Sequence, residues 1–228
     1  MLIKGLQKTT LLDYPEKVAC TVFTGGCNFR CPFCHNASLV KLSDNDSISE
    51  EEFFAFLAKR TSILDGVCVT GGEPLLQKDI SEFLGRIKDL GFSVKLDTNG
   101  SYPEKLAKLI ESGLIDYAAM DIKNSKEKYS LTCGVNIDIN KIEESISILE
   151  RSNIGYEFRT TIVRELHEPS DIEDISKWIS NAPKYFLQSF KDSGDILSEG
   201  LSAYSDDELK DILALARLHL PSTQLRGI

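Results

Sequence analysis

The sequence predicts an α/β protein whose sheet is made of parallel strands. Three observations lead to that class. Segments of strand character and segments with a 3.6-residue apolar period alternate six times from about residue 18 onward. A strand returning beside a parallel neighbour needs a crossover of roughly a dozen residues, usually a helix, and the intervening segments supply one each time. The chain has 228 residues, while a complete eight-unit barrel needs about 250. Six units therefore imply either an open doubly wound sheet or an incomplete barrel. Both architectures place chemistry at the carboxyl ends of the strands.

The elements follow in order. Val18 to Phe23 mixes β-branched and small residues and stops at Gly25-Gly26, which predicts a buried first strand. A polar spacer, residues 43–49, leads to a helix over Ser49 to Arg60. There Ser49 and Glu52 make a capping-box pattern, and Phe53, Phe54, Phe56 and Leu57 supply the apolar side. Gly66 to Thr70 is a short apolar second strand. Ile80, Phe83, Leu84, Ile87 and Leu90 recur at helical spacing before Gly91. Phe92 to Leu96 is the third strand, with a helix over Glu104 to Ser112 that stops at Gly113. Tyr117 to Ile122 is the fourth, followed by a helix carrying Ile142, Ile146 and Leu149. Tyr156 to Val163 precedes a helix over Asp171 to Ile179, and Lys184 to Phe190 precedes a last helix over Asp207 to Leu218. No repeat, low-complexity tract or Gly/Ser linker divides the chain, so one domain is expected over 1–228, with its final helix and tail at about 206–228.

Hydrophobic residues at 42% and charged residues at 27% exclude a wholly disordered or fibrous chain. Twenty-six Lys and Arg stand against 35 Asp and Glu, a net charge of −9. A protein built to coat nucleic acid has the opposite sign, so no nucleic-acid partner is expected. No apolar run reaches the roughly 18 residues of a membrane span, and the first residues have no signal-peptide core. A cytoplasmic chain without a membrane partner is expected.

Six cysteines depart from this ordinary picture. Cys20, Cys68 and Cys133 are scattered and read as small hydrophobes. Cys27, Cys31 and Cys34 fall within the loop after the first strand, GGCNFRCPFCHN at 25–36, and such spacing points to metal or catalysis more than to disulfides. Three thiolates on a loop bent by Gly25, Gly26 and Pro32 can converge on one inorganic centre. Three ligands leave a four-coordinate metal one position short, and an open position is what a catalytic centre keeps. A structural zinc completed by His35 or a remote cysteine is the alternative.

CNFRCPFC resembles the CxxxCxΦC signature of radical S-adenosylmethionine enzymes, with Phe33 as the aromatic residue before the third cysteine. The resemblance runs over nearly the whole chain, and it implies the incomplete (β/α)6 TIM-like barrel of that superfamily. It further implies that Cys27, Cys31 and Cys34 hold a [4Fe–4S] cluster whose fourth iron is chelated by the methionine moiety of S-adenosylmethionine. One electron then splits the sulfonium into methionine and a 5′-deoxyadenosyl radical. Gly71, Gly72 and Glu73 end the second strand and look like the family's GGE motif, which implies that the glycine carbonyls and the glutamate bind the methionine ammonium.

Asp97, Asp121 and Lys123 end strands expected to be buried, where unpaired charge is costly. In related activating enzymes matching positions contact the cofactor's ribose and carboxylate. The resemblance accordingly implies ribose contacts for Thr98 and Asn99, a cofactor contact for Lys123, and a monovalent-cation site at Asp97 and Asp121. Arg159, on a strand beside apolar neighbours, needs an anionic partner: the cofactor carboxylate, Asp121 or Glu157. Gln188 is expected as a polar wall of the same cavity. His167 and His219 fall in helix-flanking surface contexts and receive no role.

Within the superfamily, residues 9–36 look most like the activases of glycyl-radical enzymes, and especially anaerobic ribonucleoside-triphosphate reductase activating proteins. The cues are Leu12-Asp13-Tyr14-Pro15, His35-Asn36 and the terminal Leu225-Arg226-Gly227, with Pro15-Glu16-Lys17 where Pro-Gly-Lys is expected. The resemblance implies a large glycyl-radical enzyme as partner and flavodoxin or ferredoxin as electron donor. Activases of pyruvate formate-lyase, small-molecule enzymes such as 7-carboxy-7-deazaguanine synthase, and a non-enzymatic cluster electron carrier are the other readings. Residues 1–48 hold five basic residues (Lys4, Lys8, Lys17, Arg30, Lys41) and four acidic ones (Asp13, Glu16, Asp44, Asp46), so the cluster end is the non-acidic part of an acidic chain and suits an acidic donor.

Overall fold

The computed structural model describes residues 1–41, 47–192 and 194–227. Eight strands form one sheet: β1 (Ile3–Thr10), β2 (Ala19–Thr24), β3 (Gly66–Gly71), β4 (Ser93–Thr98), β5 (Tyr117–Asp121), β6 (Gly155–Ile162), β7 (Tyr185–Ser189) and β8 (Thr223–Arg226). Their spatial order is their chain order, β1 to β8. A doubly wound sheet reverses its order at a switch point. Monotonic winding with the strands of β2 to β8 parallel is the path of a barrel. The sheet does not close, because β1 and β8 are its two edges. The incomplete parallel barrel expected from the sequence is the observed architecture.

The six expected strands are β2 to β7. Two edge strands were not expected. β1 pairs antiparallel with β2, and its exposed Gln7, Lys8 and Thr9 carry no apolar alternation. β8 has only four residues, too few for a period to register.

Helices α2 (Glu50–Ala58), α3 (Ile80–Asp89), α4 (Pro103–Glu111), α7 (Pro169–Trp178) and α8 (Asp206–Arg217) match expectation within two residues at their ends; α6 (Ile139–Arg151) carries the expected Ile142, Ile146 and Leu149, and the short α1 (Ala37–Lys41) and α5 (Tyr129–Cys133) are additions. The cap of α2 is half of the expected box: the Ser49 side chain accepts from the Glu52 amide. Most of the spacer before it, residues 43–46, lies outside the described residues. Among the described residues no helix is long and apolar enough to cross a membrane.

Alternate side chains on a strand point to opposite faces, and here the two faces differ in chemistry. Val94 and Leu96 of β4, Ala118 and Met120 of β5, and Phe158 of β6 face the helices and are fully buried. Each large aliphatic burial there contributes about 1.5–3 kcal/mol. The other face carries Lys95, Asp97, Asp121, Glu157 and Arg159 into the barrel lumen. The apolar core is the layer between sheet and helices. The lumen is polar, and the site lies at its carboxyl-end mouth.

Candidate active site

The loop from Gly25 to Asn36 leaves β2 and crosses the mouth of the lumen, pinned from several sides. Gly26 donates to Leu39 O at 2.9 Å, Arg30 to Cys133 O at 2.8 Å, and Gln77 Nε2 to Gly25 O at 2.8 Å. Asn28 Nδ2 donates to Ser101 Oγ at 2.9 Å, while its Oδ1 accepts from Asn99 Nδ2 at 3.0 Å. Within the loop the Phe29 amide donates to Cys27 Sγ at 3.4 Å, and Arg30 Nη1 clamps the carbonyls of Cys27 and Phe29. A loop held this way fixes its thiols before anything binds them.

The turn after β3 locks into the same loop. The Glu73 amide donates to Gly26 O at 2.8 Å, and the Gly72 amide to Thr24 O at 2.9 Å. A Cβ on Gly72 would lie 1.9 Å from Gly26 O, and Gly71 has φ +124° with Thr24 backbone atoms within 2.4 Å of its missing Cβ. Only glycine allows this approach at either position. Glu73, expected as an ammonium contact, has a side chain that is 0% exposed and accepts from Leu75 N, Thr98 Oγ1 and Asn99 N at 2.7–3.0 Å. These partners are neutral, and burial pushes its carboxyl up to about 7. Glu73 ties the β3 and β4 turns together.

Apart from Glu73, all the site residues singled out from the sequence line one cavity of about 260 Å3: Cys27, Cys31, Phe33, Cys34, Gly71, Gly72, Asp97, Thr98, Asn99, Asp121, Lys123, Arg159 and Gln188. Thr98 Oγ1 and the Asn99 side chain line that wall but are already bonded to Glu73, Gly100, Asn28 and Ser101. Thr70 and Thr161, near the carboxyl ends of β3 and β6, join the wall without having been expected; both lie on lumen-facing strand positions, and that parity was the signal available.

The floor is a chain of ion pairs. Lys95 pairs with Asp97 Oδ1; Arg159 bridges Asp97 Oδ2 at 3.1 Å and Asp121 Oδ1 at 3.0 Å; Lys123 pairs with Asp121 Oδ2 at 2.9 Å. Burial pushes the Asp121 carboxyl up, but Arg159 and Lys123 outweigh it and hold it at about 2; Asp97 is held down by Arg159 and Lys95 against the same penalty. The Arg159 partner is therefore Asp121, as one reading had it, together with Asp97. Glu157 pairs instead with Arg226. Lys123 Nζ stands 5.9 Å from the centroid of the Phe33 ring.

His167 is corrected from a surface position to a buried one, 1% exposed. Its Nδ1 faces the Val163 amide at 3.2 Å and its Nε2 the Lys123 carbonyl at 2.8 Å, and its ring meets Phe33 edge-on. Among the scattered cysteines, Cys20 is a buried apolar residue as expected. Cys133, though, hydrogen-bonds the Cys31 thiol, which with Lys123 nearby holds Cys31 below the ordinary thiol range. Burial pushes Cys27 up to about 11 and raises Cys34 as well.

The donor set fits a polynuclear centre. Three thiols share one cavity with Lys123 beside them, which suits an anionic thiolate cluster. Among the described residues no three His, Cys, Asp or Glu side chains are gathered for a single ion, and His35 rests edge-on against Phe190. Lys123 and Arg159 suit a carboxylate-bearing ligand. A monovalent metal ion at Asp97 and Asp121 does not fit, because every carboxylate oxygen there already faces a cationic N–H.

A sequence model described as the radical SAM superfamily matches residues 21–179. A protein of Methanocaldococcus jannaschii named as a glycyl-radical enzyme activating enzyme is 35% identical over the whole of this chain and 96% of its own. The pyruvate formate-lyase-activating enzyme of Listeria monocytogenes is 30% identical over 71% of this chain and 69% of its own. In three dimensions the chain is similar to Streptococcus suis SuiB bound to S-adenosylmethionine, with a TM-score of 0.68 over 89% of this chain and 48% of that one at 15% identity.

Proposed function

This chain belongs to the radical SAM superfamily, and we propose that it is the activating enzyme of a glycyl-radical partner, anaerobic ribonucleoside-triphosphate reductase. It is an enzyme of that superfamily, and the family implies a [4Fe–4S] cluster and S-adenosylmethionine. The observation that carries the reading is the convergence of three thiols and a cation-rich floor at the mouth of a barrel whose wall is open.

Cys27, Cys31 and Cys34 would hold the cluster. Lys123 and Arg159 would take the methionine carboxylate, and the carbonyls of Gly71 and Gly72 the ammonium. Thr98, Asn99 and Gln188 supply a polar wall for the nucleoside. When bound, the cluster and cofactor together supply one-electron cleavage of the sulfonium and hydrogen removal from a glycine α-carbon. Phe29 and Phe33 on the cysteine loop are buried and give the cavity an apolar side beside the thiols. An unclosed sheet suits a protein substrate, since a backbone loop can approach from the side where a closed barrel has strands. The full-length likeness to a relative named as a glycyl-radical enzyme activating enzyme supports the class. The flanking segment from Leu12 to Pro15 supports the reductase branch.

Pyruvate formate-lyase is the second partner reading, favoured by the Listeria relative. The electron donor is an acidic flavodoxin or ferredoxin meeting the cysteine-loop end. Arg30 is exposed there, while the Lys41 side chain, Asp44 and Asp46 lie outside the described residues. The deciding experiment is anaerobic incubation of the iron-loaded chain with S-adenosylmethionine, a strong reductant and each glycyl-radical enzyme in turn, read by electron paramagnetic resonance. A glycyl doublet on the reductase is expected. Deoxyadenosine formation without a protein radical on any partner overturns the reading.

A further inference from the structure

Lys95 sits on β4 two residues before Asp97, facing the lumen, and is 1% exposed. A buried ammonium needs a partner that compensates its lost hydration. Here the partner is Asp97 Oδ1, with Cys68 Sγ at 3.9 Å as the other neighbour. Asp97 Oδ2 and Asp121 Oδ1 accept from Arg159, and Asp121 Oδ2 accepts from Lys123. Three cationic side chains thus face two carboxylates whose four oxygens each hold a charged donor. The cluster of side chains carries a net charge of +1 before any ligand arrives. A metal cation entering it would displace an ammonium or guanidinium from a carboxylate and join a region already in positive surplus.

We propose that Lys95 is the built-in cation of this site: its ammonium occupies the place beside Asp97 that a monovalent metal ion would take, so cofactor binding in this chain is independent of potassium and sodium. Lys95 acts through others and is a positioning residue. It holds Asp97, Asp97 and Asp121 hold Arg159, and Arg159 with Lys123 presents the surplus charge at the mouth. A carboxylate-bearing ligand neutralises that surplus. The role of Arg159 and Lys123 toward S-adenosylmethionine rests on the function proposed above; the charge balance of the lumen does not.

Two measurements test this separately from that function. Thermal unfolding of the cluster-free chain is followed in potassium, sodium or choline chloride at equal ionic strength, for the native sequence and for Lys95→Met. The native chain is expected to unfold at the same temperature in all three salts. Lys95→Met is expected to unfold earlier in choline and to be restored saturably by potassium or sodium, because binding to the folded state alone stabilises it. S-adenosylmethionine affinity of the iron-loaded native chain, read by equilibrium dialysis, should change less than twofold between potassium and choline.

A saturable potassium or sodium stabilisation of the native chain overturns the proposal, as does a tenfold affinity loss in choline. Lys95→Met equally destabilised, or unfolded, in every salt also overturns it, because that marks Lys95 as a packing residue only. If the cofactor fails to bind in any salt, the functional reading falls while the unfolding experiment still decides the role of Lys95.

Discussion

Among the described residues, the lumen face carries two ion networks that use the same residue types to opposite ends, the lower with a partly exposed base. At the upper mouth Lys95, Asp97, Arg159, Asp121 and Lys123 leave one positive charge in surplus and border the cavity. Lower down, Glu157 accepts from the Tyr117 hydroxyl at 3.0 Å and pairs with both terminal nitrogens of Arg226, whose guanidinium lies 3.2 Å over the Phe186 ring. One acid meets one base there, and Tyr14 from the β1–β2 connection packs against Tyr117 beneath it. The lower network is balanced and closed, so it can hold the sheet together and do little else. The upper one is unbalanced and open, which is the state a site waiting for an anionic group requires.

Breaking the upper region should cost most. Cys31→Ala is expected to remove the cluster, taking iron from about four per chain to below one by metal analysis after anaerobic purification. Retained iron would show that Cys31 is no ligand. Next, Arg159→Met takes the charged donor from one oxygen of each of two carboxylates, while Lys95 stays on Asp97 and Lys123 on Asp121. Loss of hydrogen bonds to charged groups costs about 1.5–3 kcal/mol each, readable as a lower urea midpoint in the cluster-free chain. Cofactor affinity should fall at least tenfold with it. Arg226→Met breaks the lower network and should lower stability by about 2 kcal/mol, the scale of a charged hydrogen bond, while leaving cofactor affinity unchanged. A large affinity loss there would erase the distinction between the two regions.

A smaller effect separates Glu73 from Asp121. The cations hold Asp121 low, so its contribution is present above the ordinary carboxylate range and lost as pH falls toward about 2. Glu73 goes the other way: with its carboxyl near 7 by burial, the folded state keeps a proton that the unfolded chain releases between about pH 4.5 and 7. Stability from this group therefore falls as pH rises through that window. Glu73→Gln should gain on the native chain from pH 4.5 to 7 in urea titrations; a constant difference would refute the raised carboxyl. The smallest effect is expected at Glu16, which has φ 62° where the resemblance led one to expect glycine. Glu16→Gly should relieve the left-handed strain and stabilise by about 1 kcal/mol or less, seen as a small rise in unfolding temperature with no change at the cavity.

Much of this was readable from the chain. Strands β2 to β7 were legible because each is an apolar run between turn signals, and the cysteine loop because three thiols fall within eight residues of one another. β1 and β8 escaped because an edge strand with one partner needs little apolar pattern. Lys95 and Cys133 escaped for a different reason. A lysine two positions before an aspartate is ordinary on any exposed strand, and a lone cysteine is ordinary in any core. Nothing local says that β4 turns the first into the barrel lumen or that α5 carries the second to Cys31.

What the sequence determined by itself is therefore the alternation of parallel strands and helices, the carboxyl ends of the strands as the place of chemistry, and the thiols that would hold the inorganic centre. These depend on period and spacing, which are properties of neighbours along the chain. Only the tertiary structure decided that Glu73 is buried against the β4 turn, that His167 is buried under Lys123, and that Asp97 and Asp121 are already saturated by the protein's own cations. Those outcomes depend on which charges meet across strands. Burial then decides each of them, because a charge out of water is set by the partners that replace its hydration.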